Sequence, residues 1–409
     1  MKNYKLTLPA CYIGYVIQSI VNNLSPLLFA RFSSQFGISE IQLTSLVFIN
    51  FAIQILVDCS SAFIAMKLGY RKSTLIAQGF SALGLISLGV LPFVMPPFAG
   101  ILVATALMAV GGGFVEVVLS PLIEALPLKN KSGAMCFLHS FYCWGHIFVV
   151  LAATLFFNTV GIERWYILPV ILAVLPVLNS ILFAKCPIET LEGDADPMTY
   201  KHIFGMKGFM LFIILMIASG AAEQAIAQWA SYFAEISLNV SKTAGDLLGA
   251  CLFALGMAIA RTVYGMLGDK MNLKAFLAGS GLLLTNLKAF IIGSSALLTC
   301  AYLLASLAPS PYVALAGIAA GGLFVGIMWP GVYSLAGREY KVGGTKMFGL
   351  LALAGDVGCT VGPTLSGAVS SDIRTGLLVS TVFPVVLLVG TIALSLLLKK
   401  SHQQAKTTL

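Results

Sequence analysis

Charge is what this chain has least of. Only 10% of its 409 residues are Asp, Glu, Lys or Arg, against 58% hydrophobic. Soluble domains carry about 25% charged residues, so a water-facing globule is excluded. Alternating strands of about ten residues are missing, which excludes a membrane barrel. No G-x-x-x-x-G-K-S/T occurs, which argues against a pump driven by ATP. The eight cysteines form no CxxC pair and fall in or beside apolar runs. They read as free buried thiols, and no cofactor is implied.

What the chain does have is a succession of apolar runs, with mean hydropathy +0.95. Each is roughly 20–28 residues, the length a helix needs to cross about 30 Å of hydrocarbon. Twelve spans are expected, at roughly 8–32, 42–66, 73–95, 98–125, 133–158, 165–185, 208–235, 244–267, 287–308, 312–336, 346–370 and 375–398. The first is too long, and lacks a small-residue cleavage site, for a removed signal peptide. The fold class expected is an all-α integral membrane protein, twelve transmembrane helices in two pseudo-symmetric six-helix bundles. The longest polar gap lies near the midpoint. It divides an N-terminal bundle (1–186) from a C-terminal bundle (208–409), with 187–207 as linker.

Net charge is +8, but the basic residues sit in loops at helix ends, so nucleic acid is not the partner. Nineteen Lys and Arg fall on one side; only Arg31, Arg164, Lys242 and Arg374 fall on the other. The bias puts both termini in the cytoplasm of a plasma-membrane protein. Trp165 and Tyr166 open span six and suit an interfacial belt. The bilayer itself is one partner, and a monomer is the expected state.

Two features repeat between the halves. Gly112-Gly113 precedes Pro121 in span four as Gly321-Gly322 precedes Pro330 in span ten. A loop with Lys67, Gly69 and Arg71 follows span two, and one with Gly265, Asp269 and Lys270 follows span eight. Glycine there lets helices approach, and the basic residues hold the helix ends as gating elements. A shorter repeat, Asn272–Phe276 and Asn286–Phe290, reads as a duplication without chemistry of its own.

Ionisable residues are sorted. Spans three, six, nine and twelve have none in their interiors, so they are expected to face lipid. The intramembrane set is Asp58, Glu116, Glu124, His139, His146, Glu223, Asp246, Arg261 and Asp356. A charge at bilayer depth costs roughly 3 kcal/mol unless it faces water or a partner, so these residues border a polar path. Glu116, in the middle of span four, is the proton-coupling candidate, because a carboxyl alternating between water and protein can carry a proton. Asp58 is either its titrating partner or a structural pair for span eleven. Glu124 is a helix-end or gate contact.

Substrate contacts are expected from Glu223, Gln224, Gln228 and Trp229 on span seven, His139 and Tyr142 on span five, and Trp329 on span ten. Carboxylate and amides bind hydroxyl groups, and an indole packs on sugar C–H. His139 and Tyr142 are three apart and share a face. Two histidines without an inward carboxylate are a thin signal for metal, and none is implied. Arg261 is expected to tether Asp269 or Asp356, and Asp356 to form that tether or line the path. Four midplane acids against one deep base disfavour an anionic substrate. Neutral polyols and organic cations remain.

Twelve spans with Gly/Asp/basic loops after spans two and eight resemble the major facilitator superfamily. Asn22-Asn23-Leu24, Phe114 to Pro121, Phe141 to Gly145 and Ala222 to Trp229 resemble its fucose permease branch of sugar–proton symporters. The resemblance implies alternating access with a small-molecule substrate and protons as partners. It places Glu116 on the proton-linked glutamate, and Asn22 and Asn23 among the substrate contacts. The branch's second acid falls on Pro26, and two sugar-contacting positions fall on His139 and Tyr142. The alternative expectation is an exporter of cationic amphiphiles; a receptor or scaffold is the third. None of these is an enzyme.

Overall fold

The structure is a computed structural model. It describes residues 4, 6–126, 131–188, 199–267, 287–340, 344–369 and 372–407, without the side chains of 61–66, 124–125, 131–133, 135–136, 265–267, 344–346 and 400–407. Asp269, Lys270, the Glu124 side chain, Asn272–Phe276 and Asn286 therefore lie outside the described parts; Gly265 falls in the last turn of the helix Leu252–Leu267, and Leu287–Phe290 open the helix Leu287–Leu307. No strand occurs among the described residues.

Twelve helices are long and apolar enough to cross a membrane. They are Thr7–Phe36, Glu40–Ser60, Tyr70–Val94, Pro97–Ile123, Phe137–Thr159, Ile167–Lys185, Phe209–Ser237, Lys242–Tyr264, Leu287–Leu307, Pro311–Glu339, Met347–Ala368 and Ile373–Lys399. They are called spans one to twelve. They form two bundles of six, and the even number returns Lys399 to the face that carries Thr7, here the near face.

Proline decides where the spans bend. It lacks the N–H that would bond the carbonyl four residues earlier, and its ring crowds that carbonyl. Span one breaks at Pro26, with a tight turn over Pro26–Leu28 between helices Thr7–Asn23 and Phe29–Phe36. Span ten breaks between Pro311–Val325 and Met328–Glu339, just before Pro330. Span four runs on through Pro121. The paired Gly-Gly-Pro spans therefore do not bend alike.

Spans seven and eleven approach closely. A methyl group on Gly358 or Gly362 would meet the backbone of span seven at Ile217 and Ala221. Small residues permit such contact without lipid between helices. Two seams join the bundles: span two packs on span eleven, and span five on span eight.

The face opposite the near face is closed. Tyr232 donates to Glu40 Oε1 at 3.2 Å, and Thr243 Oγ1 donates to Asn158 Oδ1 at 3.0 Å. Phe29 packs on Trp229, with ring centroids 5.5 Å apart. Lys242 pairs with buried Asp246 at 2.8 Å beside Ser231. Arg31 pairs with Glu163 at the same face.

Two expectations change and one is made specific. Trp165 does not lie in an interfacial belt: it is fully buried, ringed by Phe32, Phe36 and Phe93, and donates to Gln35 Oε1 at 2.8 Å. Arg71 holds a helix end, as expected. Its guanidinium donates to the carbonyls of Phe183 (2.8 Å), Ala184 (2.5 Å) and Cys186 (2.9 Å). Those are the unsatisfied carbonyls at the end of span six, where a cation suits the helix dipole. Finally, exposed apolar side chains cover spans three, six and twelve, but also a stripe of span five from Phe137 through Trp144 and Phe148 to Leu155. Span five is thus two-faced, with the polar face inward.

Candidate functional site

The site is built from side chains that the two bundles turn toward each other. On the N-terminal side it begins with two rungs between spans one and four. Gln18 donates to Glu116 Oε2 at 2.6 Å. One turn nearer the near face, the hydroxyls of Tyr15 and Ser120 lie 2.8 Å apart. One turn the other way, Asn22 and Gln54 exchange amide bonds at 3.3 and 3.1 Å. Gly112 leaves room for that pair, since a methyl there would lie 3.4 Å from Asn22 Oδ1.

Span five closes this side. Asn23 donates to the Tyr142 hydroxyl at 3.3 Å. His139 meets the Tyr15 ring edge-on, centroids 5.4 Å apart. His139 and Tyr142 thus both face span one. His146 is buried and its Nδ1 has no partner among the described residues.

The C-terminal side is organised by an ion pair. Arg261 Nη2 lies 2.5 Å from Glu223 Oε2, both nearly enclosed. Arg261 also donates from Nε to the carbonyl of Gly326 at 3.3 Å, and from Nη1 to Cys143 Sγ at 3.5 Å. Gly326 is four residues before Pro330, so its carbonyl has no helical donor. Arg261 is therefore paired with Glu223 and not with Asp356, while Asp269 lies outside the described residues. The guanidinium points to the centre and joins spans seven, eight and ten to span five.

Gln228 on span seven reaches across to span one. Its Nε2 lies 3.4 Å from the Asn22 carbonyl, 3.5 Å from Asn23 Oδ1 and 3.2 Å from Gln224 Oε1. Trp229, expected at the substrate, is instead fully buried, and its indole donates to the Pro363 carbonyl at 2.9 Å. It is a packing group of the closed face. Trp329 lies flat over Gly355 and stacks on Tyr333 (6.3 Å, 11°), which stacks on Phe348 (5.6 Å, 10°).

Asp58 is acted on from both sides that the sequence offers, Glu116 and span eleven. It interacts directly with Asp356 across the seam of spans two and eleven, while Glu116 acts on both through its charge. Asp356 accordingly belongs to that seam, not to Arg261. Lys67 is exposed at the end of its helix.

Burial divides the site. Asn22, Asn23, Gln54, Gln224 and Gln228 are buried. Glu116, Asp58, His139, Tyr142, Trp329, Tyr333 and Asp356, deeper toward the near face, keep partial exposure. Among the described residues no group of three His, Cys, Asp or Glu is placed to hold a metal.

Gln18 and Gln54 were not expected. Uncharged amides barely alter hydropathy, yet Gln18 stands one turn before Asn22, and Gln54 one turn before Asp58. That i, i+4 spacing is the signal that places them on the same inward faces.

Two six-helix bundles with paired polar groups buried along their interface define a membrane transporter. The chain belongs to the major facilitator superfamily, whose sequence profile matches residues 11–287. A search of the curated proteins finds no match. Solved structures do match. One is the E. coli fucose:proton symporter, with 15% identity, TM-score 0.65 and coverage of 96% of this chain and 99% of that one. Another is a D-xylose-proton symporter, with 12% identity, TM-score 0.76, 96% and 97%. A third is a bacterial homologue of the human lysosomal transporter Spinster, in an inward-facing, unoccupied conformation, with 15% identity, TM-score 0.74, 98% and 98%. At these identities the likeness is one of fold.

Proposed function

We propose that the chain is a proton-coupled symporter that brings a small neutral polar solute, a sugar, into the cell. The observation that carries this reading is Glu116. It is a carboxyl at mid-span, held by Gln18 at 2.6 Å and still partly exposed, beside amides contributed by both bundles. The halves 1–186 and 208–409 would rock about that interface, linked by 187–207. The near face, which carries the excess of Lys and Arg, would be cytoplasmic in a plasma membrane. The closed opposite face supports an inward-facing state.

Arg261 is neutralised by Glu223, which disfavours an anionic substrate. Gln224, Gln228, Asn23 and Tyr142 offer donors and acceptors suited to hydroxyl groups. A second reading is export of a cationic amphiphile. The aromatic ladder Trp329–Tyr333–Phe348 beside Asp356 favours it.

The test uses proteoliposomes with an imposed pH gradient, screened with a panel of monosaccharides and with a fluorescent lipophilic cation. Sugar uptake that collapses when the gradient is dissipated supports the first reading; cation extrusion supports the second. Glu116→Gln abolishes gradient-driven uptake and leaves sugar counterflow. Unchanged gradient-driven uptake in that variant removes Glu116 from its role.

A further inference from the structure

A proton carried by Glu116 must leave toward the near face even when a solute fills the space between the bundles. Such a solute displaces the water that would otherwise connect the carboxyl to that face. The rungs between spans one and four offer a lateral route inside one bundle. Tyr15 and Gln18 are one turn apart on span one, and Ser120 and Glu116 one turn apart on span four, about 5 Å along the axis. The Tyr15–Ser120 bond, at 2.8 Å, has no fixed direction, because either hydroxyl can donate. A relay needs that freedom, since each oxygen must accept one proton and give up another. Tyr15 is almost fully buried, and Ser120 keeps partial exposure. The ring of His139 abuts Tyr15 edge-on and fixes it.

We infer that Tyr15 and Ser120 form the proton exit of Glu116, a role that rests on the symport reading above. The carboxyl gives its proton, through one water, to the Tyr15 oxygen. Tyr15 gives its hydroxyl hydrogen to Ser120 Oγ, and Ser120 gives its own to solvent as hydronium. Both hydroxyls end neutral with one hydrogen each. Glu116 is left as carboxylate, and nothing is oxidised or reduced. Gln18 is the positioning residue that aims the carboxyl. The charged groups acting on Glu116 are Glu223 and Arg261 from the other bundle, and Asp58 and Asp356 at the seam; those acting on Tyr15 are Glu116 and Asp356, with the neutral Cys11 thiol beside it.

The test needs no transported solute, because the probe is the proton. The full chain in lipid nanodiscs is taken through a rapid pH jump and followed by the infrared carbonyl band of protonated carboxyls. The Glu116 component is the part missing in Glu116→Gln. In Ser120→Ala and Tyr15→Phe the final amplitude of that component stays, and its rate falls about a hundredfold, the lower end of what a positioned proton donor contributes. Ser120→Thr, which keeps the hydroxyl, retains the rate. Unchanged rates in both Ser120→Ala and Tyr15→Phe overturn the relay while leaving the symport reading intact. Loss of amplitude in step with thermal stability overturns it too, since the pair is then structural. Absence of any titrating Glu116 component in the unmodified protein sinks the symport reading, and the relay with it.

Discussion

Gln228 donates to the main-chain carbonyl of Asn22, 3.4 Å away in the other bundle, and Pro26 is the reason that carbonyl is available. In an unbroken helix the N–H of residue 26 would bond it. The same logic operates at Gly326, whose carbonyl accepts from Arg261 Nε at 3.3 Å because Pro330 follows four residues on. Each bundle thus uses one proline to turn a helical carbonyl into an acceptor at the centre.

Pro26→Ala restores the missing N–H and engages the Asn22 carbonyl within span one. Gln228 then loses one of its acceptors across the interface. One such hydrogen bond contributes about 1 kcal/mol net, or roughly fivefold in the open-to-closed ratio. The closed face should open that much more often. A reporter thiol from Ser33→Cys, beside Tyr232 at that face, should react about fivefold faster with a membrane-impermeant maleimide. An unchanged labelling rate would show that the carbonyl bond does not help hold the face shut.

Trp229→Phe separates packing from recognition. The change removes the indole bond to the Pro363 carbonyl, a helical carbonyl within Gly344–Ala368, at a cost of about 1 kcal/mol net. The melting temperature should drop while the KM for the transported solute stays put. A raised KM with normal stability would return the indole to the binding site.

The twelve spans are legible in the sequence because hydrocarbon thickness fixes their length, and the boundaries agree to a few residues. The inward position of Glu116, Glu223, His139 and Tyr142 is legible for a related reason: at lipid depth, polar groups have nowhere else to go. Partner choice is not legible. Arg261 could reach several acids by spacing alone. Its choice of Glu223 depends on the rotation of span eight and on the carbonyl exposed at Gly326. Trp229 is equally ambiguous, since an indole serves a substrate or a buried carbonyl with the same N–H. Gln18 and Gln54 hide because hydropathy hardly registers an amide. Charge marks Arg71 as a helix-end cation, but spacing alone does not say that the end it holds is that of span six.

Arg71→Gln follows from that last point. Three carbonyls at the end of span six lose a shared cation, and helix-end charges of this kind contribute about 1–2 kcal/mol in partly buried geometry. Thermal stability in detergent should fall accordingly. Turnover per folded molecule in proteoliposomes should stay the same, because the contact lies within one bundle. A changed turnover at unchanged stability would restore a gating role.

The Arg261–Glu223 pair makes the sharpest energetic demand. Removing one member leaves the other as a buried charge, which costs about 3–5 kcal/mol. Arg261→Gln should therefore destabilise strongly, as should Glu223→Gln, although the latter is nearly isosteric. Combining them removes both charges together, so the double variant should lose much less than the sum of the singles. Replacing a whole buried pair by neutral groups is often close to neutral, whereas breaking one is not. Thermal unfolding of the four proteins in one detergent gives the coupling directly. Additive losses would mean the two groups act separately, and the centre would then hold an independent cation available to an anionic substrate. A large favourable coupling keeps Arg261 committed to Glu223, and leaves no free cation at the centre to receive an anionic substrate.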